Sequence, residues 1–376
     1  MIKIIVSLFT TVIMLFGNLF GLTGYKGTDH EDYKTYKNVI LMIADGNGAN
    51  TIAATKKLRN TELAMDNMPV KCESETRSLT DKVTDSAAGG TALATGIRTY
   101  NGAIGVYIFD PIGSLFNVPK NLCELAIENG KSAGVVTTDK TSGATPASFS
   151  AHAPDRGNEK NISKDQMKSD LDLIWGAESE TVTPELCAKQ DYQYISTQEE
   201  MDALEAGTRS FGQFSFNDFA NIDNSNGTPY IADMTEKAIE LLSANENGFF
   251  LMVEGAQVDK FSHSNNLEGA SAQLVEFSKA VQSALDFAAK DGETLVVVTA
   301  DHETGGITYN EETGEYYYTK TGHTGVNVPC FVSAEDAGFV SGEAYKNCEI
   351  STQIARVMGC DNSQFPALKF KNTPTF

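Results

Sequence analysis

Positive charge is what this chain has least of: 29 Lys and Arg stand against 50 Asp and Glu, a formal net charge of -21. A surface of that sign repels nucleic acid and anionic membrane at long range, so no nucleic-acid binding is expected. Internal repeats and low-complexity blocks are absent, and hydrophobic residues make up 41%, the composition of an ordered globular protein. Six cysteines stand at 72, 123, 187, 330, 348 and 360, none in a C-x-x-C arrangement, so a thiolate zinc site is not indicated. They read as structural or buried thiols, and their pairing, if any, stays open.

A long apolar run occurs once, from Ile4 to Phe20 behind Lys3, with Gly21 and Gly24 after it. Residues 1–24 read as a cleavable export signal, with an uncleaved anchor as the alternative. No Cys directly follows the run, which argues against a lipoprotein anchor. Either way the body is expected outside the cytoplasm, secreted or periplasmic or at the cell surface. No stable membrane partner is expected unless that segment is retained. Residues 25–376 read as a single catalytic domain.

Four short, β-branched apolar runs stand out: Asn38 to Ala44, Ser132 to Thr137, Phe249 to Val253 and Thr294 to Thr299. Each is continuous rather than alternating, as strands buried on both faces of a parallel sheet are. Helical patterns lie between them, the clearest running from Leu267 through Leu274, Phe277 and Val281 to Ala288 and ending at Asp291-Gly292. The fold class is therefore α/β, a mostly parallel central sheet with helices on both faces. The acidic stretch 157–230, which holds the only tryptophan, Trp175, reads as an excursion from the sheet, a cap near the site.

The residues at the strand ends are more informative. The first strand ends in Asp45, the third in Glu254 and the fourth in Asp301-His302. Ligand sites of open α/β sheets lie beyond the carboxyl ends of strands. Separate strands thus deliver carboxylates and an imidazole to one edge, and convergence on metal ions explains this more simply than several buried unpaired charges. Asp45-Gly46-Asn47-Gly48 lacks the third glycine of a dinucleotide loop and begins with an acid, so a metal-ligand Asp on a glycine turn fits it better. In Thr84-Asp85-Ser86-Ala87-Ala88-Gly89-Gly90, Ser86 opens a helix of small residues, whose free amides suit an anion and whose small side chains leave room for a ligand. No G-x-S-x-G elbow is present, so a Ser-His-Asp hydrolase is not indicated.

The block Glu254 to His263 and the block Asp301-His302-Glu303-Thr304 each set carboxylate beside imidazole, a combination that suits zinc, while carboxylate oxygens alone suit magnesium. Of only 5 histidines, His263, His302 and His323 fall beside acidic or glycine-rich turns and read as ligands. Arg156 offers a guanidinium that can clamp two phosphate oxygens.

In this order, Asp45-Gly-Asn-Gly, Asp85-Ser86-Ala-Ala, Ala-Thr145-Pro-Ala with Arg156, Glu254 through Asp259-Lys260 to His263, Asp301-His302-Glu-Thr and His323-Thr-Gly resemble the alkaline phosphatase family. The resemblance implies two zinc ions and one magnesium per subunit. Asp259, His263 and His323 would hold one zinc and Asp45, Asp301 and His302 the other, beside the nucleophile Ser86. Asp45, Thr145 and Glu254 would hold magnesium. Arg156 would bind phosphate, with Asp85 and Lys260 behind it. Small phosphate monoesters as substrates and a homodimer are implied in the same way. The cations would reverse the sign of the acidic surface locally, so that an anionic substrate could enter. A phosphodiesterase of the same superfamily and a secreted phosphate- or metal-binding protein without turnover are the rival readings. A sulfatase would want x-Pro-x-Arg after the nucleophile, which Ser86 lacks.

Two departures from the family pattern matter. Gly143, two residues before Thr145, stands where relatives carry an Asp or His that shapes the magnesium shell. The segment between His302 and His323 is also short, so an extended crown over a dimer is not expected.

Overall fold

The computed structural model describes residues 33–108, 116–221, 226–359, 365–366 and 368–370. The expected export signal lies outside the described residues.

A ten-stranded sheet organises the chain. Its strands are β1 (Asn38–Ala44), β2 (Val70–Glu75), β3 (Ser132–Lys140), β4 (Leu173–Ala177), β5 (Gln193–Ile195), β6 (Ser210–Phe214), β7 (Phe249–Gly255), β8 (Thr294–Thr299), β9 (Val328–Val332) and β10 (Ala344–Lys346). They lie in the order β10-β2-β9-β8-β1-β7-β3-β4-β6-β5. From β8 to β5 every neighbour is parallel, and β9 alone runs against its neighbours. The four apolar runs become β1, β3, β7 and β8, side by side at the centre. The sheet is thus the expected α/β architecture.

Continuous hydrophobicity has a direct cause here. Alternate side chains of a strand face opposite ways, and both faces of these strands are covered. Val39, Leu41 and Ile43 enter one core with the helix Leu122–Glu128 and the helix Asn347–Val357. Ile40 and Met42 enter the other, against the helix Ile231–Leu242 and the long helix Leu267–Asp291. The second of these ends on Gly292 in the left-handed conformation, as the Asp-Gly pair indicated.

The stretch 157–230 corrects one expectation. It does not leave the sheet: it contributes β4, β5 and β6, three of the strands on one side. Trp175 on β4 is fully buried, and its indole donates to Ser210 on β6. Polarity on the connecting segments hid three short strands. On the other side, Cys72 and Cys330 face each other across the β2–β9 pair as buried thiols. Between His302 and His323 the short segment forms a hairpin of Thr308–Asn310 and Glu315–Tyr317. Among the described residues, no helix is long and apolar enough to cross a membrane.

Candidate metal and nucleophile site

The carboxyl ends of β1, β3, β7 and β8 open on one crevice. Asp45 directly succeeds β1, and Glu254 is the penultimate residue of β7. Asp259 and His263 lie on the next helix, Gln257–His263, while Asp301 and His302 lie just past β8. Thr145 stands in the first turn of the helix Ala144–Ser150 beyond β3, and His323 sits in a two-residue strand, His323–Thr324, paired with Glu303–Thr304.

The glycines of the first turn serve this crowding. Gly46 has φ +71, and a Cβ there would come within 2.8 Å of the Asp259 side chain; one at Gly48 would meet Glu303 at 2.5 Å. The turn after β1 is thus bare so that two other acidic segments can close over it. Small residues after Ser86 serve packing too, which corrects a second expectation. The helix Ser86–Thr95 is buried throughout, and a Cβ at Gly89 would lie 2.9 Å from the Asp301 backbone oxygen. The room is taken by the protein's own chain, not left for a ligand.

Ser86 is the first residue of that helix, and its Oγ lies 3.1 Å from His302 Nε2. Asp85 caps the helix: its Oδ1 accepts the Ala88 N–H at 2.9 Å. Its Oδ2 accepts from the Gly102 N–H at 3.0 Å and from Arg156 Nη1 at 3.1 Å. One carboxylate therefore fixes both the helix that Ser86 opens and the guanidinium of Arg156.

The imidazoles reveal what the cluster can hold. His263 Nδ1 faces the Thr321 carbonyl and His323 Nδ1 faces the Thr84 carbonyl. A carbonyl only accepts, so these partners assign the proton to Nδ1 and leave a lone pair on Nε2 in each neutral ring. The two Nε2 atoms nonetheless face each other at 3.1 Å. His263 Nε2 is also 3.3 Å from Asp259 Oδ2. Thr304 donates to Asp259, so toward His302 Nδ1, 3.3 Å away, its oxygen accepts. That again leaves the lone pair of His302 on Nε2, which lies 3.2 Å from Asp301 Oδ2 and 3.4 Å from Asp45 Oδ1.

Acceptors thus converge in excess of donors, with the Ser86 hydroxyl beside His302 Nε2 as a donor among them. Asp45 Oδ1, Asp301 Oδ2 and Thr145 Oγ1 are buried with no hydrogen-bond partner. Unsatisfied buried acceptors are costly, and cations are the groups that satisfy several at once. Donor atoms of Asp45, Asp301 and His302 lie within 4.8 Å of one another, as do those of Asp259, His302 and His323. Imidazole with carboxylate suits zinc, and carboxylate and hydroxyl oxygens without imidazole suit magnesium. The residues present fit metal ions.

Charge states point the same way. Burial, then Asp301, Asp259 and Glu254, push Asp45 well above the usual carboxylate range. Burial first and Asp139 next push Glu254 up to about 8. Burial would raise Asp259 as well, but the neighbouring His263 and His302 imidazoles and the Thr304 hydroxyl outweigh it and hold that carboxylate low. His302 is lowered by its burial and stays neutral.

These charge states make stability depend on pH. A carboxylate raised above its unfolded value favours folding at low pH, and that contribution is lost as pH rises through the folded pKa. For Glu254 that loss falls between about pH 7 and 9 in metal-free protein and is on the order of 1 kcal/mol, and Asp45 acts in the same direction. His302, lowered, works oppositely, but only below about pH 6.5, its unfolded value. Chelated protein should therefore melt a few degrees lower at pH 9 than at pH 7, and metal-loaded protein should not. Equal slopes for the two forms in thermal scans would contradict the charge assignment.

Every site residue expected from sequence lies in or beside this crevice. Sequence reading missed Thr137, which donates to Glu254, and Thr304, which donates to Asp259. It also missed Asp139 at the end of β3, whose carboxylate lies 2.9 Å from Lys260 Nζ. None of the three carried a signal beyond an ordinary polar residue near a strand end.

Comparison with known proteins agrees with this geometry. The alkaline phosphatase family model matches residues 36–175 and 172–320. Alkaline phosphatase 4 of Bacillus subtilis (strain 168) is 37% identical over 303 residues, which span 74% of this chain and 64% of that protein. The chain thus spans just under two thirds of that relative's length. The structure of alkaline phosphatase from the Antarctic bacterium TAB5 superposes with a TM-score of 0.76 at 30% identity, covering 88% of this chain and 99% of that one. A variant of the TAB5 protein with Mg bound in its M3 site superposes with a TM-score of 0.75 at 31% identity, covering 88% of this chain and 99% of that one. By matched length, identity and fold together, the chain belongs to the alkaline phosphatase family.

Proposed function

We propose that this protein is a metal-dependent phosphate monoester hydrolase with Ser86 as its nucleophile. The observation that carries the reading is Ser86 Oγ set 3.1 Å from His302 Nε2, at a helix N-terminus, beside a cluster of acceptors that fits metal ions. Family membership, and the names of the relatives, support it.

Asp259, His263 and His323 would hold one zinc and Asp45, Asp301 and His302 a second, with magnesium at Asp45, Thr145 and Glu254. When bound, the zinc ions supply Lewis-acid chemistry, easing ionisation of the serine hydroxyl and countering charge on the entering and leaving oxygens. The chain's own residues do the rest. Arg156, anchored by Asp85, binds two non-reacting phosphate oxygens and orients the phosphorus toward Ser86. Ser86 Oγ gives up its proton to solvent and forms a bond to phosphorus as the bond to the leaving oxygen breaks in line, and that oxygen takes a proton from solvent to leave as the alcohol. Water then attacks the phosphoserine from the vacated side, freeing phosphate and restoring the hydroxyl. The buried crevice keeps bulk water from screening the charges.

An alkaline optimum is expected, because hydroxide-like water and weaker product binding both favour the second step. The reading also takes the subunit as one half of a homodimer, acting outside the cytoplasm on small phosphate monoesters.

Acid quenching during turnover of a phosphomonoester tests the nucleophile: phosphate should be found esterified to Ser86. Phosphate esterified elsewhere would overturn the assignment. Arg156→Ala is expected to raise the inhibition constant of inorganic phosphate by about 10- to 100-fold, the loss of one charge-assisted bidentate contact. Zinc content should be unchanged. Equal zinc loss in that variant would make Arg156 a structural residue instead.

A further inference from the structure

Gly143 leaves a space that another residue fills. A Cβ at 143 would lie 2.6 Å from Asp139 Oδ2 and 3.0 Å from its Cγ. Gly143 has φ -55, which any residue can adopt, so its backbone does not demand glycine. The demand is for volume, which the Asp139 carboxylate takes together with the Lys140 carbonyl oxygen, 2.9 Å from that Cβ.

Asp139 is held at two points, its carboxylate and its backbone N–H. Lys260 Nζ donates to its Oδ1 at 2.9 Å, and the ammonium stands 5.8 Å above the Phe216 ring. The Asp139 N–H donates to Thr137 Oγ1 at 2.8 Å, and that hydroxyl donates in turn to Glu254.

An exposed ion pair of this kind would add little to stability. This one also brings two acidic residues together: the Thr137 hydroxyl accepts the Asp139 N–H and donates to Glu254. Two carboxylates kept adjacent, with one lysine between them and the unpartnered Thr145 Oγ1 in the same crevice, make sense around a shared cation.

We propose that Asp139 is a positioning residue that works in the space given up at Gly143, fixing Lys260 for the phosphate and serving as the outer carboxylate of the magnesium end of the site. This rests on the reading that Asp45, Thr145 and Glu254 hold magnesium. Asp139 does not touch the reacting atoms. It acts through Lys260, which its carboxylate holds, and through the negative charge it adds near Glu254.

The test is calorimetric titration of magnesium into zinc-loaded, magnesium-depleted protein, together with inhibition by inorganic phosphate. Asp139→Ala should weaken magnesium binding by about 10- to 100-fold, the usual cost of losing a residue that orients metal ligands. It should also raise the phosphate inhibition constant. The isosteric Asp139→Asn should shift both in the same direction with its fold unchanged by circular dichroism. Gly143→Ala should displace the carboxylate and weaken magnesium binding in the native background, but add much less to Asp139→Ala. Unchanged magnesium and phosphate binding in both Asp139 variants would overturn the proposal. So would full additivity of the two substitutions. Native protein that turns over monoesters with zinc but binds no magnesium would overturn it together with the magnesium assignment, while leaving the phosphatase reading in place.

Discussion

Ser86→Ala is expected to lower kcat/KM for a phosphomonoester by at least about 10³-fold, with zinc and magnesium content unchanged. The hydroxyl lies 3.1 Å from His302 Nε2, beside the acceptors that fit metal ions. Alanine keeps the helix, because the cap belongs to Asp85 and its bond to the Ala88 N–H. The variant should therefore fold, bind phosphate through Arg156 and fail to form a covalent intermediate. Residual turnover reflects water attacking directly on a substrate that the remaining charges still bind and orient. Steady-state kinetics with metal analysis of the same sample measures this. A loss below about tenfold with intact metal content would show that the serine is not the nucleophile.

Asp45→Ala has the second large effect: binding of zinc and magnesium should weaken together, each by more than about 10²-fold, and activity should fall with them. Residues that merely orient ligands cost up to that factor, and Asp45 would itself be a ligand. It stands at the end of the central strand of the sheet, with an unsatisfied oxygen 3.4 Å from His302 Nε2, and it feels Asp301, Asp259 and Glu254 at once. Because the native carboxylate is destabilised by those neighbours, the metal-free variant should melt at or above the metal-free native protein. Loss of one metal only, by elemental analysis after dialysis, would contradict a shared role.

Much of this was legible in the chain because strand ends were. Asp45, Glu254 and Asp301 each end a continuous apolar run, and such a run marks a strand covered on both faces. The three histidines were legible by company, each near acids or glycines. What was hidden depended on three-dimensional neighbours. Val70–Glu75 alternates buried and exposed side chains near the sheet edge, too weak a pattern beside the central runs. Gln193–Ile195, three residues long, was masked by acidic flanks. Ala87 to Gly90 looked like space for a ligand, and only the position of the Asp301 backbone shows that the space is filled. Asp139 matters because Gly143 lacks a side chain, a relation that the order of residues along the chain does not display.

The measurement that bears most directly on the central claim is hydrolysis of a chromogenic phosphate monoester beside its matched diester near pH 9. Native, chelated, and chelated then zinc- and magnesium-restored protein would be run in parallel. The result expected is strong monoester turnover that chelation abolishes and the two metals restore, with little diester cleavage. Preference for the diester would place the activity in a neighbouring branch of the superfamily, and metal-loaded protein that turns over neither ester would contradict the catalytic reading altogether.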